Sequence, residues 1–224
     1  AAERLITSDK VVGIMGADCS GVTTAIANNV AIPNGVTMIS PSATSPALST
    51  IADNGYFFRT APSDARQGQV LAQITMERGI NEVAVTFTNN DYGKGLSDSF
   101  INAYQGLGGK VSAIVPHDEG KADYSAEVGA LDASGAEVLA VFGYVDQGGR
   151  HIIQGSIDSG AFDKFILADG MFGDSLLANV DGDLSGTFGT VPGTDSKGAD
   201  RFAAMAKTAG IKVGGPFTGE SYDA

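Results

Sequence analysis

Short runs rich in valine and isoleucine alternate with stretches of helical periodicity along almost the whole chain of 224 residues. Strand patterns begin at residues 11–15 and recur to residues 186–190, and the spacing of Leu96, Phe100, Tyr104 and Leu107 predicts an amphipathic helix between two of them. Such alternation is typical of parallel sheets with helices on both faces, connected by right-handed crossovers. The pattern therefore predicts an α/β protein built from doubly wound sheets.

Two proline junctions divide this pattern into blocks. Ala61-Pro62 and Val191-Pro192 bracket a self-contained block about the size of one domain. We expect a partial lobe one over residues 1–61, lobe two over 62–191, and a partial return to lobe one over 192–224. Both ends fall within predicted helices, which indicates a chain truncated at each terminus.

Charge and composition exclude several classes of function. The chain carries 14 lysines and arginines against 26 acidic residues, a formal net charge of −12. This negative charge repels phosphate backbones, so we expect no nucleic acid partner. One cysteine and two histidines cannot build the usual four-ligand zinc site from His and Cys alone. We expect neither a metal nor a cofactor. No apolar run approaches the ~18 residues of a membrane-spanning helix.

The two histidines also bear on hydrolase chemistry, which needs a nucleophile beside a base. His117 follows a predicted strand close to Asp118 and Glu119, which favours a position on the surface. His151 falls within a predicted helix, and no GxSxG elbow occurs. An enzyme is accordingly less favoured than either of the two ligand-binding functions described at the end of this section.

Candidate ligand residues lie in the loops that follow strands, because open α/β sheets bind ligands beyond the carboxyl ends of their strands. The segment Gly16-Ala17-Asp18-Cys19-Ser20-Gly21 leads into a helix, where free N–H groups favour an anion. It lacks the Lys and Ser of a phosphate loop, so a carboxylate is the better match. Alternatively, Asp18 or Ser20 only caps the helix, and for Asp18 we favour the cap.

Further polar and aromatic candidates follow the next strands. Ser42 and Thr44 lie between two prolines, where they either bind a ligand or form the turn. Asp91 is expected to cap the next helix, and Tyr92 to stand at the edge of a cleft. Tyr144 follows a strand in the same way and either reaches the cleft or lines the core.

Asp169 ends a predicted strand directly before Gly170. A carboxylate in that position is placed to meet a cation, unless it is simply a solvated loop residue. Hydroxyl groups on one lobe, with aromatic rings and a carboxylate on the other, suit a zwitterion held between two lobes.

Several of these segments together resemble a known family. They are Gly16-Ala17-Asp18-Cys19-Ser20-Gly21, Ile39-Ser40-Pro41-Ser42-Ala43-Thr44-Ser45-Pro46, Arg59-Thr60-Ala61-Pro62-Ser63-Asp64, Asn90-Asp91-Tyr92-Gly93-Lys94-Gly95, Gly143-Tyr144, Asp169-Gly170 and the stretch from Pro216 to the end. In this order they resemble the type I periplasmic substrate-binding proteins, and most closely the leucine/isoleucine/valine-binding group of ABC importers. The similarity spans the whole chain and corresponds to the middle portion of a family member.

The resemblance implies two α/β lobes that are joined by three crossings and close on an amino acid. Ser20 and Thr44, with backbone N–H groups of their loops, would hold the ligand carboxylate. The carbonyl of Ser42 and the carboxylate of Asp169 would receive the ammonium, and aromatic rings from lobe two would cover the ligand. The implied ligand-binding residues are Asp18, Ser20, Ser42, Ala43, Thr44, Tyr92, Tyr144 and Asp169.

Three positions carry further implications of the resemblance. Branched-chain binders usually have Glu where this chain has Asp169, and an apolar residue where it has Asp18, so both positions bear on which amino acid binds. Cys19 would pair with a cysteine in an earlier segment of the family, forming a periplasmic disulfide.

The implied function is that of a non-enzymatic, monomeric periplasmic binding protein. It would deliver an amino acid, aliphatic or branched-chain, to the membrane permease of an ABC importer. The alternative is a sensory ligand-binding domain of the same fold that recognises amides or small carboxylates.

Overall fold

The computed structural model describes residues 1–193 and 197–224, which form two compact units. Unit 1 comprises residues 1–63 and 192–224, and unit 2 comprises residues 64–191. The chain thus enters unit 2 two residues later than the Ala61-Pro62 junction and leaves it after Val191. No helix within the described ranges combines the length and the hydrophobicity needed to cross a bilayer.

Helices and strands alternate through most of the chain. The strands are β1 Gly13–Met15, β2 Thr37–Ser40, β3 Phe57–Arg59, β4 Glu82–Thr88, β5 Lys110–His117, β6 Leu139–Phe142, β7 Phe165–Leu167 and β8 Phe188–Gly189. The helices are α1 Ala2–Thr7, α2 Ser20–Ile26, α3 Asp64–Glu77, α4 Asp91–Gly106, α5 Ser125–Asp132, α6 Arg150–Ser159, α7 Asp174–Asn179, α8 Lys197–Thr208 and α9 Thr218–Asp223.

Unit 2 is a five-stranded parallel sheet in the order β5-β4-β6-β7-β8, with helices on both faces. Successive side chains of a strand point to opposite faces of the sheet, and in β4 they enter two different cores. Val83 and Val85 pack into the core that contains α3 and α4, whereas Ala84 packs into the core that contains α5 and α6. This two-sided burial confirms the predicted doubly wound α/β fold.

Close packing of α3 against α4 gives unit 2 its tightest helix contact. A Cβ at Gly68 would stand 2.6 Å from the backbone nitrogen of Phe100, so only glycine fits there. Leu96, Phe100 and Tyr104 are fully buried, as their spacing predicts. Leu107 follows the last residue of the helix and is half exposed.

Unit 1 contains a three-stranded parallel sheet in the order β1-β2-β3. Its buried core combines three alanines with three larger residues, Met38, Leu48 and Phe57. Ala27 and Ala31 are fully buried one turn apart where α2 continues into a π-helical turn, Ala27–Ala31. These alanines let the helix approach the sheet that carries the candidate loops at its strand ends.

The expected surface position of His117 is wrong. His117 does not follow strand β5 but is its last residue, paired with Thr88 of β4 and fully buried. The imidazole Nδ1 lies 2.8 Å from the hydroxyl of Thr86 and Nε2 lies 3.0 Å from that of Thr88. Burial lowers the pKa of His117 to about 4, although the negative charges of Glu127 and Asp118 oppose the shift.

Candidate functional site

In unit 1 the loops after β1 and β2 are tied together by hydrogen bonds. The hydroxyl of Ser40 donates to the carbonyl of Ala17 (2.6 Å) and accepts from the backbone N–H of Ala43 (3.0 Å). Arg59 donates to the carbonyls of Ala43 (3.1 Å) and Ser45 (2.8 Å). Sequence reasoning missed Ser40 and Arg59 as organisers, since nothing local to either residue indicates its partners.

The expected capping role of Asp18 is wrong. Helix α2 begins at Ser20, which makes Cys19 the N-cap residue, and no side chain makes the capping bond in the described structure. The exposed carboxylate of Asp18 instead accepts a hydrogen bond from the hydroxyl of Ser42. Asp18 lies one residue too early to cap, and its contact links the two candidate loops.

Ser20 and Thr44 are each only 1% exposed. The Ser20 hydroxyl accepts from the backbone N–H of Ser45 at 3.1 Å, and its own hydrogen is donated to no acceptor among the described residues. The Thr44 hydroxyl likewise forms no hydrogen bond within residues 1–193 and 197–224. Since a hydroxyl is both donor and acceptor, each retains a hydrogen that it can donate to a further acceptor.

In unit 2 the carboxylate of Asp169 is the centre of a hydrogen-bond network. Asp169 opens the short 3₁₀ turn Asp169–Met171 after β7 and is 6% exposed. Its Oδ1 accepts from the Tyr92 hydroxyl at 2.9 Å and from Nε2 of Gln67 at 2.8 Å. The interpretation as a solvated loop residue is therefore excluded.

Tyr92 connects this carboxylate to the neighbouring backbone. Its hydroxyl, which donates to Asp169, accepts from the backbone N–H of Gly170 at 3.0 Å. Burial raises the pKa of Tyr92 well above its usual value, and the negative charge of Asp169 adds to the rise. The ring centroid of half-buried Tyr144 lies 4.8 Å from that of Tyr92, with the planes tilted by 30°. The two tyrosines thus form one aromatic pair beside Asp169.

Glycine follows Asp169 for a steric reason. A Cβ at Gly170 would stand 2.3 Å from the carbonyl oxygen of Gly143 and 3.0 Å from the Tyr92 hydroxyl. Real Cβ atoms do not approach backbone this closely, so Gly170 is required by the arrangement around Asp169.

The expected capping role of Asp91 is wrong by one residue. Asn90 has the extended backbone of an N-cap residue, and its side-chain oxygen accepts from the N–H of Gly93 at 2.9 Å. Asp91 is the first helical residue of α4 and is exposed. The cap fixes the start of the helix that carries Tyr92.

Metal-ligating side chains do not cluster in the described part of the chain: no three His, Cys, Asp or Glu residues there are grouped as a metal ion would need. Cys19 is a half-buried free thiol, and because it is the one cysteine of the 224 residues, its pairing with an earlier segment stays a prediction.

The family model described as "Periplasmic binding protein" matches residues 1–224. The chain belongs to the periplasmic binding protein family. Among curated relatives, this periplasmic binding protein is 31% identical over 205 residues to Leu/Ile/Val-binding protein homolog 1 of Brucella abortus, covering 88% of the chain and 54% of the relative. It is 29% identical over 199 residues to the leucine-, isoleucine-, valine-, threonine-, and alanine-binding protein of Pseudomonas aeruginosa, covering 86% and 51%.

A solved structure supports the same fold. The leucine-binding protein LivK of Thermotoga maritima superposes with a TM-score of 0.86 at 25% identity, covering 99% of this chain and 64% of that one. The resemblance to the leucine/isoleucine/valine-binding group of type I periplasmic binding proteins is therefore confirmed. The chain spans about half the length of these curated relatives.

Proposed function

We propose that the chain is part of a periplasmic solute-binding protein that captures an amino acid, aliphatic or branched-chain, for delivery to the permease of an ABC importer. Two curated relatives are named as binders of leucine, isoleucine and valine, and this shared name supports the ligand class. We further propose that the protein acts as a monomer and catalyses no reaction.

One observation carries the proposal: a buried carboxylate, Asp169, is fixed by hydrogen bonds from two uncharged donors, Tyr92 and Gln67. A carboxylate held in a fixed orientation presents oxygen lone pairs that can accept hydrogen bonds from a ligand. An α-ammonium group carries three N–H donors and the opposite charge, and hydrogen bonds between ionised groups are the strong ones. We assign to Asp169 the role of receiving this ammonium, with the aromatic pair of Tyr92 and Tyr144 covering the ligand.

The hydroxyls of unit 1 supply hydrogen-bond donors for the carboxylate of an amino acid. Ser20 and Thr44 each retain a hydrogen that a ligand carboxylate can accept, and hydrogen bonds to ionised groups are about twice as strong as neutral ones. The backbone N–H of Ala43 is already committed to Ser40, whereas backbone N–H groups in the first turn of α2 can add to the two hydroxyls as donors.

Asp18 bears on ligand choice within this proposal. Because it does not cap α2, its exposed charge remains available to the ligand-facing loops, where it accepts from Ser42. If Asp18 faces the ligand side chain, its carboxylate would disfavour leucine and favour a polar or cationic group. The ranking of leucine against threonine among the test ligands bears on this.

Isothermal titration calorimetry tests the proposed function on the complete protein that contains this chain. The twenty standard amino acids are titrated singly, with 4-aminobutanamide and benzoate as an amide and a carboxylate lacking the α-amino acid group. We expect saturable binding of L-leucine or another aliphatic amino acid and none of the two control compounds. Saturable binding of a control compound with none of any amino acid would refute the proposal.

A further inference from the structure

The side chain of Gln67 forms a bridge within unit 2 that joins Asp169 to the segment where the chain leaves the unit. Gln67 lies in the first turn of α3 and is the fourth residue of unit 2. Its Nε2 donates to Oδ1 of Asp169 (2.8 Å) and to the backbone carbonyl of Thr190 (3.1 Å). Thr190 precedes Val191, the last residue of unit 2.

The orientation of this amide is determined by its partners. A carboxamide nitrogen has two hydrogens to donate, and both are used here on acceptors. With the amide turned over, its oxygen would face the Asp169 carboxylate and the Thr190 carbonyl, which are acceptors only, and both contacts would become repulsive. The bridge is therefore satisfied in one orientation alone.

The same bridge closes a ring of contacts around Asp169. The N–H of Thr190 donates to the carbonyl of Leu167 at 3.3 Å, and Leu167 is the last residue of β7, two residues before Asp169. A shift of the Asp169 carboxylate would break its hydrogen bond from Gln67, and a shift of Thr190 would break the hydrogen bond from Gln67 to the Thr190 carbonyl. The hydroxyl of Tyr92, on helix α4, donates to the same oxygen of Asp169.

We propose that Gln67 is the positioning residue for ligand binding: it fixes Asp169 in the orientation that receives the ammonium and couples that orientation to the exit segment at Thr190. This inference rests on the proposed function, since Gln67 acts through Asp169. It assigns a role to a residue outside the set of ligand-contacting candidates.

Substitutions at Gln67 and Gln69 give a matched test in the complete protein. Gln67→Leu keeps a similar volume and removes both donors, whereas Gln69→Leu makes the same change on the same helix at an exposed position. The probe is the amino acid that binds best in the calorimetric panel, expected to be L-leucine. Losing a hydrogen bond to a charged group predicts about tenfold to hundredfold weaker binding for Gln67→Leu and no more than about threefold for Gln69→Leu.

A third variant separates positioning from a merely structural role. Gln67→Glu places a second carboxylate beside Asp169, and the like charge disfavours its ionisation. Protonation at low pH restores one donor, so the ratio of its Kd to that of the wild type should fall as the pH is lowered from 8 to 5. A general loss of packing would leave that ratio independent of pH.

The outcomes distinguish this proposal from the proposed function. If the wild type binds no amino acid, the proposed function fails, and the role of Gln67 fails with it. If the wild type binds but Gln67→Leu remains within about threefold of it, or if the Gln67→Glu ratio is constant with pH, the role of Gln67 alone is refuted.

Discussion

Buried His117 should make the stability of unit 2 depend on pH in the acid range. The folded-state pKa is about 4, below the 6.5 of an unperturbed histidine, so the unfolded chain takes up a proton before the folded protein does. Stability is therefore complete above pH 6.5 and is lost as the pH falls toward 4. From these two values the loss is about 2 kcal/mol at pH 5 and approaches roughly 3 kcal/mol below pH 4.

Urea unfolding of the complete protein at pH 7 and pH 5 measures this loss. Acidic residues also contribute to it, so the informative quantity is the difference between variants. His117→Asn removes the titrating group and should lose about 2 kcal/mol less than the wild type over this interval, whereas His151→Asn, at an exposed helix position, should lose as much as the wild type. Equal losses in the wild type and His117→Asn would show that His117 does not titrate as its burial requires.

Two further predictions concern local structure. Gly68→Ala should destabilise unit 2 by about 1–3 kcal/mol through overpacking, because its Cβ would meet the backbone of Phe100. Gly129→Ala, in α5 with open space around it, should stabilise by up to ~1 kcal/mol; thermal melts that rank the two in the reverse order would contradict the packing of α3 on α4. Asn90→Ala should cost about 1 kcal/mol as the loss of a true N-cap, and Asp18→Ala less than about 0.5 kcal/mol. Equal costs in denaturant unfolding would contradict the cap assignments.

Local patterns in the sequence sufficed for the element order and the fold class. The spacing of Leu96, Phe100 and Tyr104 is a property of one helix, and burial follows from it directly. The strand-helix alternation likewise depends on neighbours in sequence. Such features predicted the doubly wound sheet of unit 2 and located Asp169 at the end of a strand.

Contacts between segments far apart in the chain could not be predicted from the sequence. Gln67 meets Asp169 and Thr190 across 102 and 123 residues, and nothing near Gln67 indicates either partner. His117 is buried because β5 is longer than its apolar pattern and two threonines of β4 satisfy the ring. Both helix caps were assigned to aspartates next to the true N-cap residue, since a cap depends on where the backbone first turns helical.

The affinity of an Asp169→Asn variant for L-leucine tests the central claim most directly. Asn keeps an oxygen that Tyr92 and Gln67 can still bond and removes only the charge, whereas Ala would leave both donors unpaired. Losing one partner of a buried charge pair costs ~2–5 kcal/mol, so calorimetry on the complete protein should show binding weakened by roughly thirtyfold to a few thousandfold. The same change at exposed Asp163 should leave the affinity unaltered. An Asp169→Asn affinity within about threefold of the wild type would show that the ligand's ammonium is not received by Asp169.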